Sequence, residues 1–270
     1  MKFRSAGKTH IGRKRKINED RILLSDNLGL FVVADGIGGH NAGDVASQMV
    51  VEILEDYWKK LREGSPPLFI RCFEKGTPHM AKHLINSISL SNAIVYEAKK
   101  GPRFDKMGST VTSLLVDGDQ LWLANVGDSP AYNFTCGELI QISEEHSLEE
   151  EQKALRIESD GSSGNRAFRN ILTRAIGLED KIAVFISSLE PAIGDIVMLC
   201  SDGLTNNTSG KNISAILSDK SLSLSRKADA LVEEANLGGG DDNISIILLE
   251  VLGIGKGKAG KLSKIFYSRS

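Results

Sequence analysis

Residues 31–44 read Phe31-Val32-Val33-Ala34-Asp35-Gly36-Ile37-Gly38-Gly39-His40-Asn41-Ala42-Gly43-Asp44. The apolar, β-branched start is typical of a buried strand, and this strand ends abruptly at Asp35, which is followed by four glycines within eight residues. A carboxylate at the end of a buried strand is costly unless it is paired or binds a metal, and glycines let the backbone approach a ligand closely. Asp35 is therefore predicted to be the centre of a metal site.

Other acids occupy similar positions. The segment Ile196–Gly203 repeats the pattern of an apolar strand, an acid (Asp202) and a glycine, and Asp128 also follows an apolar strand and a glycine. An Asp-Gly pair is also a common turn signal, and Asp117-Gly118 lies between two alternating strands as a hairpin turn would. Spacing alone leaves open whether any single acid is a ligand, a surface residue or a turn residue.

The bulk properties favour one large domain. The chain has 270 residues, a net charge of −2 and an ordinary hydrophobic content of 41%, which allow a sizeable core and give no global field for binding nucleic acid. Cys72, Cys136 and Cys200 show no metal-type spacing and are interpreted as core thiols in a reducing compartment. No segment resembles a signal peptide or a membrane span, so we expect a cytoplasmic location. We expect a monomer as well.

The order of predicted elements indicates the α+β class. Helices are expected over residues 43–62, 80–99 and 223–236, and consecutive antiparallel strands over residues 109–142. Few parallel crossover units occur, and the glycine loop fits neither the dinucleotide pattern nor the P-loop. Residues 143–170 are expected to form a mobile flap. Residues 253–270 carry bases and no acid, so a domain over residues 1–252 and a flexible basic tail over 253–270 are expected.

The acids in special settings are all oxygen donors. Because histidine is scarce and no cysteine pairs exist, such a set suits Mg²⁺ or Mn²⁺ and not structural zinc. Arg15 lies beside two of these acids, and a guanidinium can bind a phosphate through two parallel hydrogen bonds. Metal ions and a basic group together suit metal-assisted phosphate chemistry. The acids are Glu19, Asp20, Asp35, Asp128, Asp202 and one of Asp241 or Asp242.

Seven segments together resemble the metal-dependent serine/threonine protein phosphatases of the type 2C family, in their bacterial form. They occur in the family's order and cover residues 3 to about 251. One such match would be weak evidence, whereas seven in sequence are highly specific. The segments are Arg15–Asp20, Val33–Ser47, Met107–Thr110, Asn125–Tyr132, Leu172–Gly177, Leu199–Thr205 and Asp242–Asn243.

The resemblance implies a four-layer αββα sandwich of two antiparallel β-sheets flanked by helix pairs, with metals in a cleft at one end. It implies that Asp35 bridges two Mg²⁺ or Mn²⁺ ions, that Asp20 orients a metal-bound water and that Arg15 holds the substrate phosphate. The implied reaction is hydrolysis of phosphoserine and phosphothreonine in proteins by direct attack of a water that bridges the ions. The substrates would be those of a cognate serine/threonine kinase.

The same resemblance assigns the remaining ligands. The Gly36 carbonyl and Glu19 would complete one metal site, and Asp202 and Asp242 would complete the other. The family's Asp-Asn pair matches Asp242 and not the acid before it. Asp128 would help to hold a third ion.

Three positions depart from the family's pattern. Pro130 stands where the family usually has arginine, and Ile37 stands where animal members have a histidine after the Asp-Gly pair. Asn206 stands where many bacterial relatives have an aspartate that helps to hold the third ion. An amide oxygen is a weaker donor than a carboxylate, so a third ion is expected to bind less tightly. His40 suits a loop-packing role as well as that of a proton donor.

Two alternatives to the phosphatase remain open. A catalytically weak regulatory module could retain the fold, and its only support is Asn206 and Pro130. A metal-dependent hydrolase could act on small phosphoesters, although an open cleft bordered by a flap favours protein substrates. Comparing the turnover of a phosphopeptide with that of small phosphate esters separates this second alternative from the protein phosphatase.

Overall fold

The structure is a computed structural model that describes residues 1–38, 42–100, 107–154, 171–255 and 261–268. The strands are β1 (Lys2–His10), β2 (Asp20–Ser25), β3 (Leu30–Ile37), β4 (Gly108–Ser109), β5 (Val111–Asp117), β6 (Gln120–Val126), β7 (Ala131–Thr135), β8 (Glu138–Gln141), β9 (Val184–Glu190), β10 (Ile196–Cys200), β11 (Ile244–Gly253) and β12 (Lys261–Ser268). The helices are α1 (Ala42–Arg62), α2 (His79–Ala98), α3 (Leu148–Ala154), α4 (Asp202–Thr205), α5 (Gly210–Ser218) and α6 (Leu224–Leu237).

The strands form two antiparallel sheets. The first has the order β1-β11-β10-β7-β8. The second has the order β12-β9-β6-β5-β3-β2, and the short strand β4 pairs with β3 outside this path. Neighbours such as β5 and β6 are joined by hairpins, and the turn at Asp117-Gly118 confirms the hairpin predicted there.

Three hydrophobic clusters show that the layers stack as helices, sheet, sheet and helices. One lies between the second sheet and helices α1 and α2, one lies between the two sheets, and one lies between the first sheet and helices α5 and α6. The α+β class and the four-layer sandwich of antiparallel sheets are thereby confirmed. Members of these clusters are, in the same order, Val32, Val50 and Leu84; Val33, Leu199 and Ile247; and Met198, Leu231 and Leu248.

Strand β11 is buried on both faces. Ile247 and Leu249 point between the sheets, whereas Ile246 and Leu248 point toward the outer helices. Successive side chains of a strand face opposite sides, so a strand covered on both sides needs an unbroken apolar run. This requirement explains the strongly apolar sequence of β11.

The long helices agree with the predicted ones to within two residues at each end. The stripe that the 3.6-residue period predicts along α1 includes Ala46, Val50, Leu54 and Tyr57, all of which are buried. Strand β1 and helices α4 and α5 were not predicted. In β1 the bases lie on a partly exposed strand at the edge of the sheet, so its sequence resembles a solvated basic segment.

The expectation of a flexible tail requires a correction. Lys261–Ser268 forms β12, which pairs antiparallel with β9 from Glu190 to Val184. Without β12, strand β9 would be an edge whose unpaired backbone groups face water. A flexible tail is therefore wrong for Lys261–Ser268, whereas the domain boundary at residue 252 stays a prediction.

Most of the predicted flap, residues 155–170, lies outside the described residues. Helix α3 lies in the described part of the chain before these residues. Ser147 forms an isolated β-bridge with Leu172, which follows them. The interpretation of the cysteines as core thiols holds for the buried Cys200 and is wrong for Cys72 and Cys136, which are exposed. Among the described residues, no helix combines the length and apolarity needed to cross a membrane.

The packing between the sheets makes a stability prediction. Ile247→Ala should lower the free energy of unfolding by about 2–5 kcal/mol, because it opens a cavity among rigid strands. Leu252→Ala, at an exposed position of the same strand, should change it by less than about 0.5 kcal/mol. Urea denaturation measures both variants, and equal effects would contradict the assignment of Ile247 to the core between the sheets.

Candidate active site

Asp35 and Asp20 face each other at the ends of two paired strands. They are directly opposite in the register of β2 and β3, so their side chains leave the sheet on the same face. Along β3, Phe31 and Val33 point between the sheets, and the alternation of a strand directs Asp35 the same way. The acids therefore lie at one end of the space between the sheets.

Asp20 is only 1% exposed, yet its carboxylate is not fully hydrogen-bonded. The Ser201 hydroxyl donates to Oδ2 at 2.8 Å, and Oδ1 has no hydrogen-bond partner among the described residues. A buried carboxylate oxygen without a partner is energetically costly. A bound cation, or a water held by one, would remove that cost.

Asp202 and Asp242 come from the neighbouring strands of the other sheet. Asp202 begins α4 two residues after the end of β10, and Asp242 lies two residues before β11. The Asn206 amide donates to Oδ2 of Asp202 at 3.0 Å, while Oδ1 of Asp202 has no partner within the described part of the chain. The charge of Asp202 also helps to raise the pKa of the Asp35 carboxyl group, so the two acids lie close together. Acids of both sheets thus converge on Asp35.

Glu19 is placed by a close approach of two backbones. The Glu19 carbonyl accepts hydrogen bonds from the Gly36 N–H at 3.1 Å and from the Ser47 hydroxyl at 2.5 Å. A Cβ atom on Gly43 would lie 2.7 Å from the Gly36 carbonyl carbon and 2.8 Å from Oε1 of Glu19. Only glycine at residue 43 lets α1 begin against this strand end. Residues 39–41, including His40, lie outside the described residues.

Asp128 is held beside Asp35 by a bridge of hydroxyl groups. The Asp35 N–H donates to Thr110 Oγ1 at 3.0 Å, and the Thr110 and Ser129 hydroxyls are 2.8 Å apart. The Thr112 hydroxyl donates to the Ser129 carbonyl at 2.5 Å. These bonds fix the turn after β6 relative to the end of β3.

The acids raise one another's pKa values. Burial and then the charges of Asp20, Asp202, Asp128 and Asp242 raise the pKa of Asp35 well above its usual range. Burial is also the main cause that raises the pKa of Asp20 and Asp128 to about 7 and that of Asp202 to about 6, with neighbouring acids adding to it. This mutual repulsion shows that the five carboxyl groups form one cluster.

Arg15 pairs with this cluster. Its Nη2 donates to Oδ2 of Asp242 at 2.6 Å. Burial opposes its positive charge, but the charges of Asp242, Asp35 and Glu19 outweigh burial and raise the pKa of Arg15. The neighbouring Asp241 instead faces Lys14 at 2.6 Å and is more exposed than Asp242. The structure thus places Asp242 toward the cluster and Asp241 away from it.

The donor set fits hard divalent ions. All the gathered donors are oxygens, and two of them, on Asp20 and Asp202, lack partners among the described residues. Within the same part of the chain, no three His, Cys, Asp or Glu side chains already have the geometry of a closed metal cage.

Several residues whose side chains hold the acids in place were not predicted from the sequence. Asn243 accepts from the Glu19 N–H at 2.8 Å and donates to the Ile11 and Ile17 carbonyls at 2.9 and 3.0 Å. The Ser245 N–H donates to the Ser201 hydroxyl at 3.0 Å and so holds the group that donates to Asp20. Most of these residues lie within the seven segments that resemble the family. A motif match gives a residue's place in the sequence and not the contacts that its side chain makes. These residues are Thr110, Ser201, Asn243 and Ser245.

Comparison with known proteins gives consistent results. A family model described as protein phosphatase 2C matches residues 6–234. The serine/threonine phosphatase stp of Listeria welshimeri is 36% identical over 246 residues, which cover 90% of this chain and 94% of that protein.

Solved structures agree with these sequence matches. The serine/threonine phosphatase of S. agalactiae superposes with a TM-score of 0.81 at 28% identity, over 93% of this chain and 100% of that one. The catalytic domain of the phosphatase PstP in complex with 2 manganese ions gives a TM-score of 0.75 at 29% identity, over 93% of this chain and 99% of that one. The fold of this chain is therefore that of these phosphatases.

The acid cluster makes the stability of the metal-free protein pH-dependent. The folded state raises the pKa of Asp128 to about 7, above the unfolded value of about 3.9, so folding favours its protonated form. Its contribution to stability is complete below about pH 4 and is lost as the pH rises through about 7. In EDTA, Asp128→Asn should therefore become more stable than wild type at about pH 8, by on the order of 2 kcal/mol.

Comparing wild type with Asp128→Asn cancels the effect of His146 on the pH dependence of stability. Burial lowers the pKa of His146 to about 3, so His146 destabilises the fold as the pH falls below about 6.5 in both proteins alike. Urea denaturation at several pH values measures the difference. A difference that stays constant with pH would show that Asp128 does not belong to the cluster.

Proposed function

The chain belongs to the protein phosphatase 2C family, and on this premise we propose that it hydrolyses phosphoserine and phosphothreonine in proteins by direct attack of water. The observation that carries the proposal is the convergence of Asp20, Asp35, Asp128, Asp202 and Asp242 at one end of the space between the sheets. A relative named as a serine/threonine phosphatase, 36% identical, supports the substrate class.

The residues present suit the family's two-ion core of Mn²⁺ or Mg²⁺. Two such ions, when bound, would polarise a water between them toward hydroxide and stabilise the charge that develops on the phosphoryl group. We assign Asp35 to the position shared by both ions, Glu19 and the Gly36 carbonyl to one, and Asp202 and Asp242 to the other. The crystal structure of a relative, PstP, in complex with 2 manganese ions supports a core of two ions.

Asp20 is proposed to orient the attacking water. Its Oδ2 is held by the Ser201 hydroxyl at 2.8 Å, and Oδ1 is the oxygen that has no partner in the described part of the chain. A carboxylate fixed on one side can accept a hydrogen bond from water on the other and then take its proton. The buried position prevents Asp20 from turning away to bulk water.

Arg15 is proposed to bind the phosphate of the substrate. In this structure its guanidinium is paired with Asp242 and is 49% exposed, so it can be reached from solvent. A cation bound to Asp242 would compete for the same carboxylate and leave the guanidinium for the phosphate. Arginine suits this role because it presents two parallel donors to two phosphate oxygens.

A catalytically weak regulatory module is the second candidate. Its support is Pro130 and Asn206, neither of which replaces a residue of the proposed two-ion core. The complete set of core acids, together with Arg15, favours the enzyme. As part of the same proposal, the protein acts as a cytoplasmic monomer that opposes a serine/threonine kinase, and its three free cysteines are compatible with a reducing compartment.

The proposed two-ion core predicts that activity requires a metal. Hydrolysis of a phosphothreonine peptide should require Mn²⁺ or Mg²⁺, stop in EDTA and fall by more than about a hundredfold in Asp35→Asn, since loss of even an outer-shell partner costs 10–100-fold. Asp241→Asn is the matched control, because its side chain faces Lys14, and it should retain turnover. Phosphate release measures both variants.

Other outcomes separate the alternatives. No turnover by the wild type with either ion, despite metal binding, would favour the regulatory module. Turnover of small phosphate esters without turnover of the peptide would favour a small-molecule hydrolase. Equal loss in Asp35→Asn and Asp241→Asn would contradict the assignment of Asp35.

The contact between Asn206 and Asp202 predicts how tightly a third ion binds. The Asn206 amide donates to Oδ2 of Asp202 at 3.0 Å, so it occupies an oxygen that an ion shared with Asp128 would use. Wild type should bind two Mn²⁺ ions tightly, and Asn206→Asp should tighten a third by about tenfold or more. Asn206→Ala removes the amide without adding a carboxylate and is the control. Calorimetric titration that shows the same weak third site in wild type and Asn206→Asp would contradict this role of Asn206.

A further inference from the structure

Two histidines meet on the first turns of helix α2, outside the acid cluster. His79 and His83 are four positions apart, and their Nε2 atoms lie 3.3 Å apart, a distance at which one neutral ring donates a hydrogen bond to the other when no ion is bound. His83 is only 3% exposed, whereas His79 lies at the surface. Residues four apart on a helix are neighbours on one face, so the helix itself keeps the two rings together.

The separation of the two nitrogens fits a tetrahedral ion. Zn²⁺ binds imidazole nitrogen at about 2.0–2.1 Å, and two ligands at a tetrahedral angle are then about 3.3 Å apart. Adjacent ligands at a right angle, as in square-planar or octahedral sites, would be only about 2.9 Å apart. We propose that His79 and His83 form a binding site for a borderline divalent transition ion, with Zn²⁺ as the best match.

The surroundings of His83 prepare it as a ligand. Its Nδ1 lies 2.8 Å from the hydroxyl of Tyr57, where either group can be the donor, and that hydroxyl accepts from the Asn86 amide at 3.1 Å. An imidazole that binds a metal through Nε2 carries its proton on Nδ1, and a hydrogen bond from Nδ1 to a neighbouring oxygen fixes the ring. Burial and the neighbouring His79 lower the pKa of His83, which favours the neutral ring that a metal requires.

The site lies beneath the connection between α1 and α2. Asn86 accepts from the Ile70 N–H at 2.9 Å and donates to the Leu68 carbonyl at 3.0 Å. The Phe69 ring lies 4.9 Å from that of His83, centroid to centroid. An ion on the histidines would therefore act next to the residues that hold this connection in place.

The histidine site differs from the acid cluster in position and in chemistry. Tyr57, which contacts His83, lies 14 residues after Gly43 along α1, which corresponds to about 21 Å of helix. Nitrogen donors favour borderline ions, whereas the oxygen donors of the cluster favour Mg²⁺ and Mn²⁺. Among the described residues no third His, Cys, Asp or Glu joins the pair, so water would complete the coordination. The site would thus be open and exchangeable.

Zn²⁺ titration of the full chain tests the proposal by comparing wild type with His79→Gln, because Zn²⁺ that binds the oxygen donors of the acid cluster binds both proteins alike. Wild type should show one Zn²⁺ site that His79→Gln weakens by more than about tenfold. Lys82→Gln, on the adjacent position of the same helix, should bind as wild type does. His79 is exposed, so its replacement preserves the fold, whereas His83→Gln alters a buried ring.

A spectroscopic measurement identifies the geometry. Co²⁺ added in place of Zn²⁺ should give the intense visible absorption of tetrahedral coordination in wild type and not in His79→Gln. Equal Zn²⁺ binding by wild type and His79→Gln, or the weak absorption of octahedral Co²⁺ in wild type, would overturn the proposal. Turnover with Mg²⁺ alone should be the same in wild type and His79→Gln, so failure of this proposal is distinguishable from failure of the proposed phosphatase function.

Discussion

Repulsion between buried carboxylates is the constraint on which this structure depends. Asp20 and Asp35 are directly opposite on paired strands, and acids from the other sheet approach the same point. Like charges opposite one another destabilise a sheet, and burial adds a cost for each charge. The raised pKa values express this cost, which cations or protons must offset. The end of the sandwich is therefore built for ligand binding at the expense of local stability.

The rest of the fold supplies the rigidity that this arrangement requires. Three apolar clusters lock the sheets together and the helices onto them, so the strand ends cannot separate to relieve the repulsion. A hydrogen bond donated by Ser201, and bonds accepted by the side chains of Thr110 and Asn243, then tie the acidic segments to neighbouring strands. The contact between Gly36 and Gly43 lets α1 begin directly against the acidic end of β3. Large cores and small polar bridges thus act together to keep the acids in place.

The chain separates two kinds of metal-binding chemistry. Oxygen donors gather between the sheets, where they fit hard ions and metal-assisted phosphate hydrolysis. The proposed nitrogen site lies on the outer helix layer, where a hydroxyl group orients a buried imidazole. The two donor types therefore favour different classes of ion.

The sequence by itself determined the α+β class, the long helices and the identity of the acids at strand ends, because periodicity and strand-terminal charges are local properties. The resemblance to the family further selected Asp242, and not Asp241, as the expected metal ligand. Only the tertiary structure decided the opposition of Asp20 and Asp35, the pairing of Arg15 with Asp242, the added strand β12 and the distance between His79 and His83. Register, rotamers and contacts between distant segments set these features, and they arise from packing of the whole chain, which no local pattern encodes.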